Sequence, residues 1–395
     1  MSNADFVICG AGIVGLSIAR ELVSRGHKNI LIFDKEAAPG KHASGRNSGV
    51  LHAGIYYDPG TLKARMCFEG NLLMREYCRQ RQLPLLETGK VVVARDESEI
   101  PTLLELKRRA TANGAQVSVV DEQTLRELEP EAKTAGKALH SPLTAVVDPK
   151  AILLALRKEL EDTGVRFMFG TRFTDAGDGF VFTDNGSLEY GLFINAAGAY
   201  SDTVAHAFGI GRNYRLIPFK GIYKTLKKHA ADRIRGSIYP VPNIKNPFLG
   251  IHFTRSVHGD VYLGPTAIPA LGRENYGILK GMDKELPAIL MRDAQMFLRN
   301  PKFRGVALEE PRKYMFKYFF EDARKLVRHL DPDDIEASPK SGIRPQLVDM
   351  RNHELVMDFL VEQGRTSLHV LNSISPAFTS AMSFARMVVN EHMNI

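Results

Sequence analysis

The first 34 residues constrain this chain more than any other stretch. Residues 5–34, DFVICGAGIVGLSIARELVSRGHKNILIFD, read as strand, glycine turn, helix and second strand, ending on an acid. Gly10 and Gly12 permit a tight turn and a close backbone approach to a pyrophosphate, and Gly15 lets the helix lie against the strand. Ile13 and Val14 open the helix, whose free N–H groups and positive dipole end suit phosphate oxygens. Asp34 follows Gly15 by 19 residues, where a carboxylate accepts hydrogen bonds from a ribose diol. Glycines gather in ordinary turns as well, but here strand, helix, second strand and acid fall in register. The pattern predicts a dinucleotide site, for NAD(P) or FAD.

A chain of 395 residues, 44% hydrophobic and 25% charged, is a soluble globular protein long enough for two buried cores. The net charge of +7 suits an anionic substrate or peripheral attachment to an anionic membrane surface. Lys and Arg are scattered, which argues against nucleic acid; the densest run, KTLKKHAADRIR (224–235), reads as a solvated face. The first strand begins at Asp5 or Phe6, which leaves no room for a signal peptide, and no apolar run approaches the ~18–20 residues of a membrane span. Cys9, Cys67 and Cys78 lack metal or CxxC spacing, so the expectation is a cytoplasmic protein without disulfides or a metal site.

The rest of the chain reads as helix over 62–81, strand over 90–94, helix over 98–112, helix over 149–164 stopped by glycine, strand over 165–170, a hairpin turn at Asp184-Asn185-Gly186 and a helix from Ser201. From 216 to about 265 the texture is β, helices follow at 284–299 and 313–328, and the end returns to α/β. The fold class predicted is therefore α/β, with a discontinuous Rossmann-like dinucleotide domain (1–85, 149–215 and 335–395) and an inserted β-rich substrate domain (86–148 and 216–334). That discontinuity disfavours the usual NAD dehydrogenase.

Three further stretches favour FAD. LFINAAGAYSD (192–202) resembles the A-A-G turn of flavoproteins, KSGIRPQ (340–346) the G-x-R-P segment near the flavin ring, and HVLNSISPAFTSAMSFA (369–385) the closing strand-to-helix turn. Together they resemble the D-amino-acid oxidase superfamily. Within it, HASGRNSGVLHAGIYYDPGTLKA (42–64), IPFKGIY (217–223) and YPVPNIKNPFLGIHFTR (239–255) resemble blocks of the L-2-hydroxyglutarate dehydrogenase/oxidase family. Ala43, Ser44 and Arg46 stand where that family has Q, T and H, and GIRPQ replaces G-x-R-A-Q.

The resemblance implies non-covalent FAD held by the glycine motif with Lys35, Ser44, Arg46, Asn47, Ser48, Gly49, Phe173, Ala197, Gly198, Gly342, Ile343, Ser375, Pro376 and Ala377. His42 falls by the same implication near the dimethyl-benzene edge of the flavin, where related amine-oxidising enzymes carry a covalent histidine. Oxidising a 2-hydroxy acid needs a base for the hydroxyl proton, and His52 and His252 match family positions; either also suits a packed histidine. His258 reads as a hairpin-turn residue. A dicarboxylate needs cations, for which Arg344, Arg255, Lys220 and Lys63 are candidates, Arg344 first because arginine grips carboxylate bidentately. Tyr239 and Tyr56 are hydrogen-bond donors or packing residues. Ser375 and Pro376 read as N-cap and first residue of a helix whose positive end faces the flavin N1/C2 edge. The implied activity is FAD-dependent oxidation of L-2-hydroxyglutarate, or a close 2-hydroxy acid, with quinone or oxygen as acceptor. The alternatives are an amine oxidase of the glycine or sarcosine oxidase type and a flavin-binding redox sensor without catalysis.

Overall fold

The strand Ser2–Cys9, the helix Ile13–Ser24 and the strand Ile30–Asp34 form the βαβ unit that the glycine spacing predicts. The two strands pair in parallel, Phe6 opposite Ile30 and Cys9 opposite Phe33. Ile30 to Phe33 are all buried, as expected of a strand covered on both faces. The structure, a computed structural model, describes residues 2–243, 249–282 and 284–393. Residues 244–248 of the YPVPNIKNPFLG stretch lie outside them.

Among the described residues the first sheet has eight strands. Gly186–Asn195 pairs in parallel with Ser2–Cys9 on one side and with Ser367–Asn372 on the other. The hairpin predicted at Asp184–Gly186 joins Phe180–Thr183 to Gly186–Asn195, with Gly186 at φ +114. Helices Ile13–Ser24, Pro149–Asp162 and Ala377–His392 supply one apolar core with the sheet. Each fully buried Ile, Leu or Phe there contributes about 1.5–3 kcal/mol.

Among the described residues the second sheet has ten strands and contains Lys90–Val93, Tyr214–Leu226, Ser237–Pro240, His252–Arg255 and Ile335–Asp349. Two boundaries differ from the sequence reading. Residues 335–349 pair along their length with Tyr214–Leu226, so this strand belongs to the second sheet rather than to the dinucleotide domain. Ala145–Val147 pairs with Val50–Leu51 and Leu85–Leu86, and Val147 joins the core under the first sheet. The helix expected over 313–328 is also shorter. A 3-10 turn at Glu310–Tyr314 ends on extended Met315, the helix runs over Phe316–Arg324, and Val327 instead bridges Ala132.

Candidate active site

A cavity of about 430 Å³ opens at the carboxyl ends of Ser2–Cys9, Ile30–Asp34 and Gly186–Asn195 and runs on to the face of the second sheet. Parallel sheets bind ligands at this edge because the crossover helices begin there.

At one end lies the glycine turn. Gly10 has φ +109, and a Cβ on it would meet the Ala196 carbonyl oxygen at 2.5 Å; one on Gly15 would meet the Gly10 carbonyl oxygen at 2.0 Å. Only glycine lets the two strand ends and the helix converge so closely. Gly12 is the helix N-cap and offers no side chain, while Ser44 Oγ accepts from Ile13 N at 3.0 Å. Asp34 lines the cavity, with Oδ2 accepting from Ala11 N (2.8 Å) and Oδ1 from Glu36 N (2.9 Å). It braces the turn rather than standing only as a ribose acceptor. Val14, Lys35, Arg46, Asn47 and Ser48 also line the cavity, as do Phe173, Ala197 and Gly198. A backbone cradle that a Cβ at Gly10 or Gly15 would fill, beside a helix start whose N-cap is glycine, fits the pyrophosphate of FAD.

A segment of the second domain crosses over this end. Glu274 Oε1 accepts from Lys35 Nζ (2.5 Å) and from Tyr200 OH (2.7 Å). Arg46 lies over the Tyr276 ring at 4.1 Å. Arg273 makes a buried bidentate pair with Asp202 (2.6 and 3.1 Å). His42 is tied in as well: Nδ1 lies 2.7 Å from Tyr276 OH and Nε2 lies 2.8 Å from Glu36 Oε1. Both nitrogens are thus engaged beside Lys35 and Glu36, at the end of the second strand. Glu36, His42 and Glu274 could hold a cation among them, but Lys35 Nζ bonds all three. The Lys35 ammonium, followed by the His42 ring, holds the Glu36 carboxyl down at about 2 against the effect of its burial.

The far end gathers the residues of the hydroxy-acid reading. His52, His252, Tyr239 and Arg344 all line the cavity. Tyr239 stacks on His252, ring centroids 3.8 Å apart. His252 Nδ1 is 2.8 Å from the Gly250 carbonyl oxygen. That acceptor requires Nδ1–H, so the lone pair of the neutral ring is on Nε2. Burial, then the Lys90 charge, push His252 down to about 3, with Gly250 opposing; burial, Lys90 and His252 push His52 well below the ordinary histidine value. Burial lowers Arg344 to about 10. Gly342, Ile343, Ser375, Pro376 and Ala377 complete this wall.

Several expected residues stand elsewhere. Gly15 lies beneath the turn, and Gly49 packs on Val147, where a Cβ would meet its carbonyl oxygen at 2.4 Å. Lys220 and Arg255 do not line the cavity. Lys220 Nζ donates to Asn275 Oδ1 (3.0 Å) and the Gly277 carbonyl (2.7 Å), and Arg255 Nη1 donates to the carbonyls of Ala231 and Ile234. Lys220 lies between the cavity-lining Phe219 and Gly221, and Arg255 lies three residues after the cavity-lining His252, so alternation turns each to the opposite face. Lys63 is buried behind Arg344, held down at about 7 by burial and then by the arginine's charge. Ser375 is not the N-cap. Pro376 (φ −99, ψ 39) takes the cap position before Ala377–His392, with no side-chain cap. Tyr56 is packed with its OH unbonded among the described residues, and His258 lies in the turn after Arg255, with Nε2 3.1 Å from Asp148. The sequence reading missed Lys90, Tyr57 and the 273–276 crossing. The signal for Lys90 was a lysine opening an otherwise apolar strand, KVVVA.

Fold and cavity together define a flavin-dependent oxidoreductase, and the chain belongs to the FAD dependent oxidoreductase (DAO) family, whose model matches residues 5–391. FAD is its cofactor, and no feature of the site indicates a covalent link. Among its sequence relatives are L-2-hydroxyglutarate dehydrogenases. The mitochondrial one of Nematostella vectensis is 36% identical over 98% of this chain and 90% of that protein. The human mitochondrial one is 32% identical (99% and 89%), and that of Indibacter alkaliphilus 33% (97% of each). In fold, the FAD-bound L-α-glycerophosphate oxidase of Mycoplasma pneumoniae superposes with a TM-score of 0.78 at 21% identity, covering 99% of this chain and 94% of that one. Glycine oxidase of Geobacillus kaustophilus gives 0.71 at 17% identity, with the same coverage.

Proposed function

We propose that this chain oxidises L-2-hydroxyglutarate, or a close 2-hydroxy acid, to the 2-oxo acid. The observation that carries the reading is the meeting of His52, His252 and Arg344 at one end of a cavity whose other end is the glycine turn. The names of the sequence relatives point to the same substrate. Bound FAD supplies the acceptor for the hydride leaving the substrate Cα.

The chain's own side chains bind and move the proton. The guanidinium of Arg344 receives a carboxylate in its planar fork, with Lys63 adding positive charge from behind. The hydroxyl proton passes to Nε2 of His252, the nitrogen left open by the bond to Gly250, with His52 as the second candidate. A base must be uncharged to accept a proton, and burial keeps both imidazoles so.

Electrons then pass to a quinone in preference to oxygen, at a peripheral membrane contact. Supporting this, the outer helices of the second domain expose Leu290, Met291, Leu298, Leu308 and Met315 among Lys302, Arg304 and Lys317. Among the described residues no helix is long and apolar enough to cross a membrane. The test of the substrate reading is anaerobic bleaching of the flavin against a panel of 2-hydroxy and 2-amino acids. Bleaching by L-2-hydroxyglutarate first is expected; bleaching only by amino acids, or by none, would overturn it.

A further inference from the structure

Lys90 opens the strand Lys90–Val93 and is 1% exposed, yet its Nζ has no hydrogen-bond partner among the described residues. It lies 4.5 Å from the centre of the Tyr56 ring and 4.6 Å from that of Tyr239. Tyr239 is the ring that stacks on His252. The amine therefore sits one aromatic layer behind the histidine end of the cavity and does not line the cavity itself.

The groups that face it come from every element packed around it. The loop after Val50–Leu51 brings His52 and Tyr56, the strand Ser237–Pro240 brings Tyr239, and the strand His252–Arg255 brings His252. The helix Leu62–Gln80 brings Cys67, whose thiol burial holds up at about 12 and therefore neutral. Ser237 and Ser141 stand opposite Lys90 in the neighbouring strands. None of these is a carboxylate.

Burying an amine without a counter-ion is unfavourable, and an apolar residue would fill the slot between two aromatic rings without that penalty. Nothing in the packing of the sheet requires a charge there. What the charge touches electrostatically is the histidine pair: it acts on both His52 and His252. We propose that Lys90 is a positioning residue whose buried, unpaired amine, set against Tyr56 and Tyr239, adds to burial in keeping His52 and His252 in the uncharged form that proton abstraction needs. The proposal rests on the histidine reading for its purpose, but the electrostatic effect exists whether or not either histidine is the base. Burial lowers Lys90 itself to about 7, so it is cationic below neutrality, in the range where an ordinary imidazole would protonate.

The test uses the FAD-loaded protein with isotope-labelled histidine. The imidazole resonances of His52 and His252 are assigned with His52→Gln and His252→Gln and followed from pH 3.5 to 9. In Lys90→Met the titration midpoint of at least one should rise by about one pH unit or more, while Lys90→Arg, which keeps the charge, should leave both low. The acid limb of anaerobic flavin reduction should move upward with it. If neither imidazole protonates more readily in Lys90→Met at any pH in the range, the proposal is overturned. Should Lys90→Met not retain FAD, Lys90→Gln gives the same comparison. A rate of flavin reduction unchanged in both histidine variants would sink the histidine reading alone, since the resonances are read without turnover. A role for Lys90 in packing only would lower the melting temperature and leave the midpoints where they were.

Discussion

Replacing Arg273 by Met should destabilise the protein through Asp202 rather than through the arginine itself. The side chains are 3% and 1% exposed, and the guanidinium meets both carboxylate oxygens. Removing it strands a buried negative charge, a change that costs about 3–5 kcal/mol. Asp202 keeps backbone donors, Thr203 N at 2.8 Å and Leu216 N at 2.9 Å, which favours the lower part of that range. An unfolding entropy of ~2.1 cal/mol/K per residue converts it to a fall of about 4–6 °C in melting temperature for a chain this long. The pH dependence has a definite sign. In the parent, Arg273 and the backbone donors hold the Asp202 pKa below the ordinary carboxylate value despite burial, so the pair's stabilisation is present above that value and lost as pH falls through the folded one. In the variant, burial without the arginine raises the pKa, and the penalty is relieved as pH falls through it. Calorimetry at pH 8 and pH 5 should therefore show a larger deficit at pH 8, and the double variant with Asp202→Asn should recover part of it. A deficit under 1 °C at pH 8, or an equal deficit at both pH values, would refute the reasoning.

Three further outcomes are expected. His252→Gln should retain FAD and slow flavin reduction by ~10²-fold, with His52→Gln the alternative if it does not; because His252 is held down at about 3, the parent should keep its rate well below pH 6.5 and lose it only as the imidazole protonates. Arg344→Lys should weaken substrate binding by about 1–3 kcal/mol, read as a rise in the dissociation constant from anaerobic titration, because the amine keeps the charge and loses the planar fork. Purified protein should sediment with anionic vesicles at low salt, release as salt rises, and reduce a soluble quinone faster than oxygen; peroxide production without quinone preference, and no sedimentation, would remove the membrane reading.

The glycine turn was legible in the sequence because its physics is local: Gly10, Gly12, Gly15 and Asp34 lie within one βαβ unit, and the turn leaves few other residues possible. Lys220 and Arg255 were misplaced for a reason the sequence also contained. Phe219 and Gly221 line the cavity, so Lys220 between them faces away; His252 faces the cavity, so Arg255, three residues on, does not. The motif identified the right strands but not which face each residue takes. The Lys35–Glu274 bridge was beyond reach, since it joins residues 239 apart and no periodicity encodes it. Ser375-Pro376 misled because the same pair starts many helices, whereas here the helix begins one residue later and Pro376 itself stands at the N-cap.

The strand Ile335–Asp349 has a bearing on how such a protein is altered, in evolution or by design. Gly342, whose Cβ would meet the Arg46 carbonyl oxygen at 2.9 Å, and Arg344 lie two residues apart on one face of it. This strand pairs with Tyr214–Leu226 in one register from Tyr214 to Ile222, Gly342 opposite Gly221 and Arg344 opposite Phe219, before a bulge between Ile222 and Lys224. A displacement that reshapes the cavity at Arg344 moves Gly342 with it, because a paired strand shifts as a unit. Retuning which acid is accepted is therefore mechanically coupled to the cofactor's seat when attempted from this strand.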